Sequence, residues 1–159
     1  MSKLTPCLWF DGNAEEAAEF YVSVMPDSRI DRIMRAPSDY PAGKAESAMG
    51  VEFTVAGAQF MALNGGPAFT FTPAVSFFIA CEDQAEIDRI WDALSDGGTP
   101  MQCGWITDRY GVTWQIVPRK MAEMMHDPDR DRSRRVFEAM MKMVKLDLPA
   151  LERAYRGEA

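Results

Sequence analysis

The feature that most constrains the fold of this chain is a phrase that occurs twice. Near the N-terminus the alternating stretch Leu4–Phe10 is followed by Asp11–Gly12, then by Asn13 with Glu16 three residues on. An amphipathic run follows, with Ala17, Phe20, Tyr21 and Val24 on its apolar side, and Pro26–Asp27 stops it. Later, Val75–Cys81 is followed by Asp83 with Glu86, by Ile87, Ile90, Trp91 and Leu94 at helical spacing, and by Gly97–Gly98. Each phrase reads as a strand, an N-cap with an acidic partner at its third helical position, and a helix. Two copies in 159 residues argue a duplicated unit, one domain over residues 1–159 made of two small modules around a shared cleft.

The rest of each half reads as strands. Arg29–Arg35 is one, and Pro37–Gly43 after it is a loop able to move over a site. Met49, Val51, Phe53 and Val55 alternate with Gly50, Glu52 and Thr54, and Ala56–Gly57 turns the chain into Gln59–Leu63. Asn64–Gly65–Gly66–Pro67 ends that strand. In the second half, Cys103–Pro118 reads as strand, four-residue turn (Asp108–Gly111) and strand. Val112, Trp114 and Ile116 form a core face there; Thr113, Gln115 and Val117 form the other. In the first strand Leu4, Leu8 and Phe10 share one face and Thr5, Cys7 and Trp9 the other. After Pro118 the pattern becomes helical: Arg119–Met125, then Arg132–Val144 with a stripe of Val136, Phe137, Met140, Met141 and Val144, then a short helix capped by Asp147. The stripe packs on its own chain or on a second subunit.

Charge and cysteine usage narrow the function classes. A net charge of −7 disfavours nucleic acid as a partner. The basic cluster Arg130, Arg132, Arg134 and Arg135 is interleaved with Asp129 and Asp131, as in a solvated helix start. Cys7, Cys81 and Cys103 have no metal-type spacing and read as buried reduced thiols of a cytoplasmic protein. The apolar run in MSKLTPCLWF is too short for a signal peptide. No stretch reaches the roughly 20 apolar residues of a membrane span, so no membrane partner is expected.

The blocks F-D-G-N-A-E-E-A-A-E-F-Y (10–21), M-A-L-N-G-G-P (61–67), C-G-W (103–105) and G-V-T-W-Q-I-V-P (111–118) carry a family resemblance. The chain resembles the PhnB-like branch of the vicinal-oxygen-chelate superfamily, which includes glyoxalases, bleomycin-resistance proteins and dioxygenases. The branch's domain is labelled 3-demethylubiquinone-9 3-methyltransferase. The resemblance implies an α+β fold of two βαβββ modules, residues 3–66 and 73–118, forming a concave mixed sheet, with a helical extension over 119–159. It also implies a homodimer.

In metal-using relatives the ligands come from the first and last strand of each module. The matching positions here are Thr5 or Pro6, Phe60 or Met61, Val75 or Ser76, and Gln115. None is His, Asp, Glu or Cys, so no metal and no other cofactor is expected. The one histidine, His126, reads as an exposed helix-end residue. No nucleophile elbow, P-loop or dinucleotide fingerprint is present, and Asp11–Gly12–Asn13 is not the Gly-rich first loop of a Rossmann-type methyltransferase. The candidate pocket is apolar with few polar groups: Cys7, Trp9, Asn64, Thr113 and Gln115 as ligand contacts, Glu52 and Gln115 as catalytic candidates. Glu52 alone is an acid placed for proton transfer; otherwise it pairs with Arg29 or Arg35. The expected function is metal-independent binding of a small, partly apolar molecule. The alternatives are methyl transfer in quinone metabolism, or sequestration without chemistry.

Overall fold

The computed structural model describes residues 2–158, which form two compact units meeting in sequence at Phe71 and Thr72. The first contains β1 (Cys7–Phe10), α1 (Ala14–Val24), β2 (Arg29–Arg35), β3 (Ala48–Val55) and β4 (Ala58–Asn64). Its sheet has the order β1-β4-β3-β2, with β1 parallel to β4 and the other pairs antiparallel. The second contains β5 (Ser76–Cys81), α2 (Gln84–Ser95), β6 (Thr99–Pro100), β7 (Trp105–Thr107) and β8 (Thr113–Pro118). Its sheet has the order β5-β8-β7-β6, again with the first strand parallel to the last. Each unit is therefore a βαβββ module with the same strand order. Three further helices complete the second unit: α3 (Arg119–Met125), α4 (Arg130–Met140) and α5 (Leu148–Arg156).

In both modules one sheet face is buried under the helix. Leu8, Phe10, Val51, Phe53, Val55, Phe60 and Ala62 face α1, where Tyr21 stacks on Phe53 and Phe53 on Phe60. Ile79, Cys81, Ile106, Trp114 and Ile116 face α2 with its buried Ile87, Ile90, Trp91 and Leu94. Strand alternation sends the other residues to a second face, turned away from α1 and α2; in the second module the C-terminal helices cover this face at Val117. The Asp108 turn closes as its spacing predicts, with Gly111 N–H donating to the Asp108 carbonyl at 3.0 Å. Its carboxylate does more than turn the chain. It is buried and accepts from the Tyr110 and Val112 amides and from Trp114 Nε1 at 2.8 Å, tying the turn to the core.

Several expectations change. β1 begins at Cys7 rather than Leu4, and Leu4 is 77% exposed. Pro6 has no N–H to give to the ladder, although its carbonyl accepts from Met61. Asn13 makes no side-chain cap. Asn64, from the end of β4, does this instead: its Oδ1 accepts from Ala14 N–H at 2.9 Å while its Nδ2 donates to the Ala48 carbonyl. Asp83 caps α2 as expected, accepting from the Glu86 amide.

The helix α4 starts earlier and ends earlier than its sequence pattern predicts, running Arg130–Met140 with Asp129 as the cap. After Met140 the chain leaves the helix because its carbonyls have other partners. Met143 O and Val144 O accept from the amides of Cys103 and Gly104, and Leu146 is buried beside Gly104. The Gln84 side chain clasps the same segment, donating to Leu146 O and accepting from Leu148 N–H. The predicted stripe is thereby divided. Val136 and Met140 pack with Val117, Met124, Leu146 and Leu151, whereas Phe137, Met141 and Val144 remain exposed. Of the basic cluster, Arg135 has an internal role, donating to the carbonyls of Ala154 and Tyr155 at the end of α5. Asp147 caps α5 and His126 lies exposed at the end of α3. Only Cys81 is a buried thiol; Cys7 is exposed and Cys103 half-buried.

Candidate functional site

Both faces turned away from α1 and α2 are built in rows set by strand register. Across the first sheet Arg32 lies opposite Glu52, Glu52 opposite Met61, and Met61 opposite Cys7. Arg32 grips Glu52 with two parallel bonds, Nε to Oε2 at 2.8 Å and Nη2 to Oε1 at 2.9 Å. The partner is thus neither Arg29 nor Arg35. A bulge between Ile30 and Arg32 shifts the register so that Arg32 meets Glu52 directly, while Arg29 pairs with Asp31. The bonds from Glu52 raise the pKa of Arg32, so the guanidinium stays charged. Each Glu52 oxygen accepts one bond from Arg32 and keeps a second lone pair for another donor.

Beside this pair lies a cavity of about 100 Å³ lined by Thr5, Asp31, Glu52, Gln59 and Met61, with Phe53 and Phe60. It is smaller than the ~150 Å³ apolar cavity that accepts a benzene molecule. Its volume matches a small substituent rather than a whole ring.

At the other end of β1, Trp9 is firmly held. Its Nε1 donates to Gly66 O at 2.8 Å, and Phe69 meets it edge-on with centroids 5.0 Å apart. Its ring lies so close on Gly65 that a Cβ there would stand 2.4 Å from the indole. The loop after β2 reaches this place through Tyr40, whose hydroxyl donates to Asn64 O, and Tyr40 and Gly43 pair backbone to backbone. Asn64 itself is buried with both ends of its amide engaged, so it holds strand and helix together and is no longer among the accessible ligand contacts. Burial raises the Cys7 thiol pKa although the residue's surface is accessible, which keeps it neutral and a weak nucleophile.

On the second sheet Gln115 is half-buried and its Nε2 donates to Ser76 Oγ at 2.9 Å. Thr113, only 1% exposed, shares a hydrogen bond with the Thr107 hydroxyl and supports the sheet. Gln115 lies in a row with Phe78 on β5 and Trp105 on β7. These two, with Arg32, are face residues the sequence reading did not single out; Met61 entered it only as a possible metal-ligand position. The alternation of Val75–Cys81 and Trp105–Thr107 already carries the signal for Phe78 and Trp105; the bulge hides that for Arg32.

A superfamily-type metal does not fit these residues. Ser76 and Gln115, two of the four ligand positions, bond to each other, and Thr5 and Met61 supply no anionic or imidazole donor. Among the described residues no group of three or more His, Cys, Asp or Glu stands close enough to hold a metal ion.

The family model described as 3-demethylubiquinone-9 3-methyltransferase matches residues 2–117. The chain belongs to this family. A PhnB protein from Bacillus cereus is 36% identical over 74% of this chain and 99% of its own, with a TM-score of 0.67. A protein from Pseudomonas aeruginosa shares the fold at 22% identity and TM-score 0.59, covering 72% of this chain and 95% of its own. A glyoxylase/bleomycin resistance protein/dioxygenase domain from Frankia sp. EAN1pec is also similar, at 11% identity and TM-score 0.47 over 72% of this chain and 94% of its own. No curated protein matches the chain. The family match covers both modules and stops before α3, so the helical extension lies outside it. No helix among the described residues is long and apolar enough to cross a membrane.

Proposed function

We propose that this PhnB-like protein binds a small, partly apolar molecule on the sheet faces turned away from α1 and α2, with no resident metal. The observation that carries the reading is the cavity beside the Arg32–Glu52 pair, where the Met61 thioether meets a hydroxyl, an amide and two carboxylates, with Phe53 and Phe60 of the core completing the lining. Such a lining suits one polar group on an otherwise apolar body. On the first sheet Glu52 orients a ligand's polar group, with Trp9 and Cys7 at the border, and it is the acid placed there for proton transfer; on the second sheet Gln115 is the orienting group. We further take the protein to be a cytoplasmic homodimer; the exposed Phe137, Met141 and Val144 supply an apolar area suited to a partner.

The test is native mass spectrometry of the freshly purified protein, followed by a thermal-shift screen of small amphipathic compounds and of S-adenosylmethionine. The expected result is a hit whose affinity falls at least tenfold in Glu52→Gln or Met61→Ala with the fold retained. Hits indifferent to both substitutions contradict the reading. Specific binding of S-adenosylmethionine would favour methyl transfer instead.

A further inference from the structure

The row Phe78–Gln115–Trp105 has chemistry that the fold does not require. Phe78 is 55% exposed between the core-facing Phe77 and Ile79, and Trp105 is half-buried before the core residue Ile106. The duplication supplies an internal control. The same row of the first module, defined by the pairing of its first, last and third strands, holds Cys7, Met61 and Glu52. A βαβββ sheet therefore forms without two aromatic residues flanking an amide at these positions.

We infer that this row is a cradle for a flat, conjugated ring carrying a carboxamide-like hydrogen-bonding group, an assignment that deepens the proposed small-molecule binding and rests on it. Phe78 and Trp105 stand two strands apart, which places their backbones about 10 Å from each other at the usual strand spacing. A ring seated midway lies about 5 Å from each, within the roughly 4.5–7 Å range of aromatic pairs. Its edge then meets Gln115. The bond to Ser76 uses one Nε2 hydrogen and turns the amide along the sheet, leaving Oε1 and the second hydrogen for a ligand that both donates and accepts. A saturated ring has a similar apolar area but is thicker and lacks the π face that the flanking residues recognise. Phe78 and Trp105 are thus specificity-determining residues, and Ser76 is a positioning residue for Gln115.

The experiment compares 2-naphthamide with its decahydro analogue by isothermal titration calorimetry against the intact protein. The planar compound should bind at least tenfold more tightly. Phe78→Ala and Trp105→Ala should each weaken it about tenfold or more without changing the saturated compound's affinity in proportion, and Trp105→Phe should restore most of the loss. Melting temperatures of these variants show whether the sheet survives; if Trp105→Ala does not fold, Phe78→Ala and Trp105→Phe carry the comparison. Equal affinity for the two compounds overturns the ring assignment while leaving small-molecule binding in place. Binding of neither at millimolar concentration, or planar binding indifferent to Phe78, also overturns it. Failure of the broader proposal is read separately, from the screen hits and the Glu52 and Met61 variants of the first module.

Discussion

Asp108 shows how one side chain joins turn and core. Asp108→Ala removes the acceptor for two backbone amides and for the buried Trp114 indole, and we expect it to cost about 3 kcal/mol, since a single unsatisfied buried group costs roughly 1–3 kcal/mol. Chemical denaturation measures this, and a loss below 1 kcal/mol contradicts the assignment. At Gly65 the expected effect of Ala is local: displacement of Trp9 from its seat, read as a shift in tryptophan emission with the fold retained. Cys81 gives a pH dependence. Burial, with Glu86 next, pushes its thiol up from 9.0 to about 12. Between those values the unfolded chain loses the thiol proton and the folded chain keeps it, so stability falls as pH rises through that window and is fully present below it. Denaturant midpoints at pH 8 and pH 10.5 should fall less in Cys81→Ala than in the parent. An equal fall in both places the thiol outside this linkage.

At the scale of elements, the two helix starts make a paired test. Asn64→Ala should destabilise by about 1–2 kcal/mol, as loss of a capping residue does, and Asp83→Ala by about 1 kcal/mol, whereas Asn13→Ala should be nearly silent. A large effect at Asn13 would show that α1 is capped locally after all. Here lies the boundary of what the sequence discloses. The Asp83 cap is legible because donor and acceptor are neighbours, and β3, β4 and β8 because alternation is local. The role of Asn64 depends on a contact fifty residues away, and its turn-like neighbours Gly65 and Gly66 mask it. The Arg32–Glu52 pair depends on a bulge that no residue type announces. Likewise, the end of α4 at Met140 is set by the amides of Cys103 and Gly104, so a helical pattern that continues to Val144 overshoots. Glu52 and Gln115 were recognisable as face residues; their engagement with Arg32 and Ser76 was not.

For the molecule as a whole, the extension beyond the family match is built into the second module. Gln84, Cys103 and Gly104 hold its backbone, and Leu146 is fully buried in the cluster that includes Val117. Leu146→Ala should therefore cost about 2–5 kcal/mol, the usual range for truncating a buried leucine, and should lower the protection of β8 amides in hydrogen exchange. The central claim is that the sheet faces turned away from α1 and α2 bind a small molecule while the faces under these helices hold the fold. The most direct measurement takes the tightest ligand from the screen and determines its affinity and the melting temperature for Glu52→Gln and Phe53→Ala side by side. Glu52 lines the cavity and Phe53, its neighbour in β3, is buried under α1. The account predicts that Glu52→Gln weakens binding with little change in melting temperature, and that Phe53→Ala destabilises the fold by about 3–5 kcal/mol. Unfolding by Glu52→Gln, with Phe53→Ala affecting only affinity, would contradict it.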